Sequence, residues 1–260
     1  MSSSDQPQRA HLAVPSLEHQ HFGANFIKTA VCELRFPTLH EIDSDSDKPP
    51  LRFAHALRKD YPAHAVAAAV NVSPAAVARN RSHVFTSRNA FWTVNLSTQA
   101  LSLETNRYDS FKDFEGRIGQ LKEASTSFID SDFFTRIGIR YINVLPYKRA
   151  EIAQWVNPVL VSTLGDGLYG DCSEFAQSIR GSTEVGGFLF QHGIGQSTGT
   201  NMAQAPPTYG LDFDFYAENV EVKDAMRVVV ALHTREYEMF MWSLGERAKA
   251  HLKSAKVGHA

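Results

Sequence analysis

Cysteine is scarce in this chain: Cys32 and Cys172 are the only two in 260 residues, and they stand far apart. A disulfide framework and a four-cysteine zinc site are therefore excluded, which leaves the plain reading of two buried thiols in a reducing compartment. Long apolar runs are also missing, since no stretch approaches the roughly 20 residues that span a bilayer. Nor does one sign of charge dominate. Lys plus Arg number 26 against 28 Asp plus Glu, for a formal net charge of -2. Net charge thus gives no indication of a nucleic-acid partner. The opening MSSSDQPQRAHLAVPS has no basic-then-apolar layout of a signal peptide. Together these absences lead to the expectation of a soluble, cytoplasmic globular protein with no membrane partner and no cofactor.

What is present suffices for a packed core, because 43% of the residues are hydrophobic and only 21% are charged. Residues 1–24 are polar and aperiodic and read as a mobile tail. Phe26 to Phe36 is strand-like and ends at Pro37. Leu51 to Tyr61 is a short helix stopped by Pro62. The alanine-rich stretch 63–81 is left unassigned. Short strands at 84–86, 91–96 and 101–105, separated by turn-type residues, predict an antiparallel meander. Ser110-Phe111-Lys112-Asp113 has the layout of a capping box, and Phe111, Phe114, Ile118, Leu121 and Phe128 then recur at helical spacing.

From Phe134 the same order of elements is replayed. Phe134 to Val144 is a strong strand, Glu151 to Val161 a short helix that Pro158 can cut, and 186–192 and 209–216 are strands. The last helix is expected to start near Asn219 as its N-cap. Its buried stripe is read as Met226, Val229, Val230, His233, Tyr237, Phe240 and Leu244. The expected organisation is α+β: an antiparallel β-sheet with helices packed mainly on one face. It divides into a tail at 1–24, halves at 25–130 and 131–253 that repeat strand, short helix, β-meander and long helix, and a tail at 254–260.

The strand Arg136-Ile137-Gly138-Ile139-Arg140-Tyr141-Ile142-Asn143 carries the strongest site signal. Side chains alternate along a strand, so Arg136, Gly138 and Arg140 share one face, while Tyr141 and Asn143 share the other. Gly138 leaves a gap between the two arginines. Asp212 and Asp214 likewise share one face of their strand, and the preferred reading is cross-strand ion pairing of Arg136 and Arg140 with these two carboxylates. The alternative is that the arginines bind an anion such as phosphate or a partner's carboxylate. Arg136, Arg140, Tyr141 and Asn143 are accordingly the candidate ligand-binding residues. The expected partner is an unidentified protein or a small anionic ligand.

That strand, with Glu33-Leu34-Arg35-Phe36, Asn106-Arg107-Tyr108 and Leu232-His233, resembles a sporadically distributed family of bacterial proteins of uncharacterised function. The signature of this family is a strand Arg-x-Gly-x-Arg-Tyr-x-Asn. The resemblance extends over nearly everything after residue 24, except that Asn25-Phe26 stands where the family has a Pro-Pro pair. It implies no catalytic residue, and a patchy distribution implies a setting in defence or toxin–antitoxin systems.

Other patterns point to chemistry more weakly. Gly195-Gln196-Ser197-Thr198-Gly199 matches the Gly-x-Ser-x-Gly elbow of serine hydrolases, with Asp212 or Asp214 and then His233 in the required chain order. The helix that must follow the elbow is blocked by Pro206 and Pro207. Asp214, Glu221 and Lys223 loosely match the carboxylate, Glu-x-Lys arrangement of metal-dependent nucleases. No two histidines have metal-ligand spacing on one helix face, and no Walker-type phosphate loop exists. The leading expectation is a non-catalytic binding or regulatory protein with no metal. The alternative is a hydrolase or nuclease that uses the 195–224 region.

Overall fold

The structure, a computed structural model, describes residues 11–39, 47–73, 76–126, 128–165, 169–170, 172, 174–195 and 207–254, with the backbone alone for 68–73 and 76–80. Its framework is one nine-stranded sheet with the order β2-β3-β4-β5-β1-β6-β9-β8-β7. Every pairing is antiparallel. In chain order the strands and helices begin with β1 (Ile27–Arg35), α1 (Leu51–Leu57), β2 (Ala63–Ser73), β3 (Ala76–Thr86), β4 (Trp92–Leu96), β5 (Ala100–Thr105) and α2 (Phe111–Ser125). They continue with β6 (Phe133–Pro146), α3 (Ile152–Trp155), α4 (Ser162–Gly165), β7 (Phe175–Ser182), β8 (Gly187–Gly195), β9 (Thr208–Glu221), α5 (Ala225–Ser243) and α6 (Glu246–Ser254). The protein is thus α+β, and the two halves of the chain meet at the central β1–β6 pair, where Cys32 lies opposite Ile139.

Period-two alternation decides which side of the sheet is core. Ala30, Cys32 and Leu34 of β1, Ile137, Ile139 and Tyr141 of β6, and Tyr209, Leu211, Phe213 and Phe215 of β9 are all buried. The helices α2 and α5 pack over this side, with α5 against β6 and β9. One cluster of buried side chains runs through both halves, from Phe53 and Leu103 to Phe213 and Leu252. Cys32 is buried in it, whereas Cys172 is only half-buried. Among the described residues no helix is long and apolar enough to cross a membrane.

Several elements depart from what the local sequence predicts. The unassigned stretch forms the β2–β3 hairpin, in register from Ala63–Thr86 to Ser73–Ala76. Alanine favours helix locally, but pairing of His83–Thr86 with β4 anchors the hairpin to the sheet. Residues 151–161 do not form one helix. A 3-10 turn at Arg149–Glu151 leads into the single turn of α3, and the chain is extended at Val156 before α4. β7 is an edge strand, mostly exposed, so it lacks the apolar alternation that marks a strand in sequence. Asn219 is not an N-cap. It sits within β9 at φ 52, a left-handed conformation that asparagine tolerates, and α5 starts six residues later after a 3-10 turn at Val222–Asp224.

Residues 11–24 lie along α5. Leu12 N–H donates to Ser182 O at 2.9 Å, and Arg235 Nη2 donates to Leu12 O at 2.6 Å. Glu238 accepts from Ser16 Oγ at 2.9 Å and from Leu17 N–H at 3.4 Å. It also pairs with Arg235, and beneath this segment it is only 2% exposed. Residues 1–10 and 255–260 of the two expected tails lie outside the described residues.

Candidate functional site

The four candidate ligand-binding residues occupy opposite faces of the sheet. Arg136 and Arg140 project from the open face. There Arg136 Nη2 donates to both oxygens of Asp214 at 2.9 and 2.8 Å, and its Nη1 reaches Glu33 Oε1 at 3.5 Å. Its guanidinium also lies 4.6 Å from the centroid of the Tyr216 ring. Arg140 holds Asp212 in a two-bond fork at 2.8 and 2.6 Å. The gap expected at Gly138 is filled from within. A Cβ there would lie 2.7 Å from Arg136 Nη1, because the arginine side chain folds back over the glycine. Both guanidiniums are therefore engaged by carboxylates of the same sheet.

Tyr141 and Asn143 face the helices instead, so they share no ligand with the two arginines. They line a pocket between β6, α2 and α5. Tyr141 Oη lies 3.2 Å from His233 Nδ1 of α5. The Phe111 ring, in the first turn of α2, stacks on His233 with centroids 3.6 Å apart and planes within 8°. Tyr108 meets Tyr141 edge-on at 5.3 Å. Asn143 Nδ2 donates to Leu211 O at 3.5 Å. Glu236, one helical turn beyond His233, is 2% exposed. Among the described residues, Asn143 Oδ1, His233 Nε2 and Glu236 Oε2 are buried with no hydrogen-bond partner. All three belong to side chains that line this pocket.

Burial sets the protonation of the site. It holds the Glu236 carboxyl well above the usual carboxylate range, helped by the Asp214 and Asp212 carboxylates and opposed by a hydrogen bond from the Tyr141 backbone. Burial, with the neighbouring His19, pushes His233 down to about 3. The Tyr141 hydroxyl is raised by burial and by Tyr108 and Glu236. At neutral pH the pocket therefore holds a neutral imidazole, phenols that keep their protons, and a carboxyl that gains from any cationic partner.

The roof of the pocket is the segment around His19–Asn25. Gln20 N–H donates to Tyr237 Oη at 3.1 Å, and the His19 ring lies 5.0 Å from His233 and 4.5 Å from Tyr237. Asn25 Nδ2 donates to Tyr108 O at 3.0 Å. The pocket, which opens partly to solvent, offers about 80 Å³, enough for a few waters or a ligand group of a few heavy atoms.

The enzyme candidates are not brought together. Asp212 and Asp214 pair with arginines on the open face, while His233 is buried on the helix face, so the sheet separates them. Ser197 lies outside the described residues. Glu221 ends β9 and pairs with Lys223 at 2.7 Å on the surface. No group of three His, Cys, Asp or Glu side chains suited to a metal occurs among the described residues.

Reading the sequence missed Glu236, Phe111, Tyr108 and His19 as members of one site. A signal was present for Glu236: a carboxylate three residues after His233 and directly before Tyr237, inside an otherwise apolar stripe. The contributions of Tyr108 and His19 are made by tertiary packing alone. In comparisons with known proteins, no family model matches this chain, and no curated protein is significantly similar to it.

Proposed function

We propose that this is a non-catalytic binding or regulatory protein of bacterial type that holds a small ligand in the pocket beneath residues 19–25. The observation that carries the reading is the set of three buried polar atoms without partners, from Asn143, His233 and Glu236, on side chains that line one pocket. Folded proteins leave few such atoms unpaired, and each costs about 1–3 kcal/mol. A ligand that supplies the missing hydrogen bonds recovers that cost and stabilises the fold. The resemblance of the Arg136–Asn143 strand to the sporadic bacterial family supports a setting in defence or toxin–antitoxin systems.

The test is thermal and chemical denaturation of Glu236→Met. If Glu236 is kept for a ligand, replacing it by an apolar side chain of similar length raises the midpoint of the empty protein, by about 1 kcal/mol or more. A lower midpoint would show that Glu236 belongs to the structural network and would overturn the reading.

A further inference from the structure

We propose that the pocket takes a small primary ammonium ion, with Glu236 as its counter-ion and Asn143 Oδ1 as a second acceptor. This inference rests on the ligand-binding reading above and adds the chemistry of the ligand. Its first support is the charge inventory of the lining. Two carboxylates, Asp109 and Glu236, line the pocket, and no Lys or Arg does. Three histidines also line it, and burial disfavours the charged form of His19 and His233, so an anionic ligand would find no permanent cation there. The second support is donor–acceptor matching. Asn143 Nδ2 faces Leu211 O at 3.5 Å, which leaves Oδ1 as an unpartnered acceptor. Glu236 Oε2 is the other unpartnered oxygen. An ammonium group carries three N–H donors and no acceptor, the complement of two such oxygens.

The third support is aromatic. Tyr108, Phe111, Tyr141 and Tyr237 line the same space, and π-faces attract an organic cation most strongly where water is excluded. The pocket volume of about 80 Å³ suits a short alkylammonium or the amine end of a longer molecule that extends through its open side. Burial already favours the protonated carboxyl of Glu236 in the empty site. An entering cation reverses that preference, so the ion pair forms in a desolvated setting where opposite charges attract strongly.

Isothermal titration of the full chain near neutral pH with three probes of one shape separates the possibilities: propylammonium, 1-propanol and propionate. Propylammonium is expected to bind at least about tenfold more tightly than 1-propanol, with no binding of propionate. Glu236→Gln, which keeps the shape of the side chain, is expected to remove most of the preference for the charged probe. Equal binding of propylammonium and 1-propanol would overturn the ammonium assignment. So would tighter binding of propionate, or no propylammonium binding up to roughly 20 mM. If the assignment fails while Glu236→Met still raises the midpoint, the pocket reading survives and only the ligand class is wrong. If Glu236→Met lowers the midpoint, both fall.

Discussion

Two arginines four residues apart on one strand differ in how much they are expected to contribute. The Arg136 and Asp214 side chains are 21% and 26% exposed, and Arg136 also reaches Glu33 and Tyr216. Arg140 is 47% exposed and pairs with Asp212. Arg136→Ala is therefore expected to cost about 1–3 kcal/mol, and Arg140→Ala less than about 1 kcal/mol. Chemical denaturation checks the order, and the Arg136→Ala/Asp214→Ala double variant should lose less than the sum of the singles. Equal, additive losses would show that solvent screens both pairs alike. Ala90, at φ 56 in the turn between β3 and β4, offers a gain instead. Ala90→Gly relieves a left-handed alanine and is expected to add roughly 0.5–1 kcal/mol, less than the full conformational cost because glycine also loosens the unfolded chain. An unchanged or lower denaturation midpoint would show that the turn imposes no strain.

At the scale of elements, the terminal helix shows what periodicity can and cannot settle. The stripe read from sequence contains Val229, His233 and Tyr237, and all three are buried. It also contains Val230, which is 39% exposed, and it omits Leu232 and Met239, which are in the core. Residues 11–17 cover Glu238, so the helix is buried on more than its sheet-facing side, and a single stripe is too narrow a description. Leu232→Ala is accordingly expected to cost about 2–5 kcal/mol, and Val230→Ala under about 1 kcal/mol. The segment that covers Glu238 is expected to matter as well. Removing residues 1–24 exposes the buried Arg235–Glu238 pair and Tyr237, and should lower the denaturation midpoint by about 1–3 kcal/mol. A truncated protein of unchanged stability would show that these contacts contribute nothing measurable. By contrast, the start of α2 was legible locally. Ser110 Oγ accepts from Asp113 N–H at 3.3 Å, as a capping residue does, because a cap needs only four consecutive residues.

Across the whole molecule, burial of histidine sets the response to acid. Burial holds His233 at about 3 and His192 at about 4, and it lowers His19 and His83 as well. Below about pH 6.5 the unfolded chain takes up protons at these positions while the folded protein does not, so their contribution to stability is present above that pH and is lost on acidification. Glu236 acts in the opposite sense, because its raised carboxyl is protonated in the folded protein first. The two strongly shifted histidines outnumber the one opposing carboxyl, so the protein is expected to lose stability as pH falls from 6 to 5. Denaturant midpoints across that range check the slope. A flat profile would show that these imidazoles are solvated, and Glu236→Gln should steepen it.

The sequence by itself determined the α+β class and the position of most strands. It also determined which residues of β6 share a face. These properties follow from short-range rules: alternation of two along a strand, helical spacing of apolar residues, and turn residues between them. Only the tertiary structure decided the strand order, the β2–β3 hairpin and the path of residues 11–24 along α5. It also made one pocket from His19, Tyr108, Phe111, Asn143, His233 and Glu236. The physical reason is separation along the chain. Asn143 and Glu236 are neighbours because β6 lies beneath α5, and that contact depends on the burial of both elements, which no local pattern encodes. The charge state of the site has the same origin. Sequence shows Glu236 only as a carboxylate set in an apolar stripe, and desolvation under a packed helix makes it a buried acid with one oxygen unpaired.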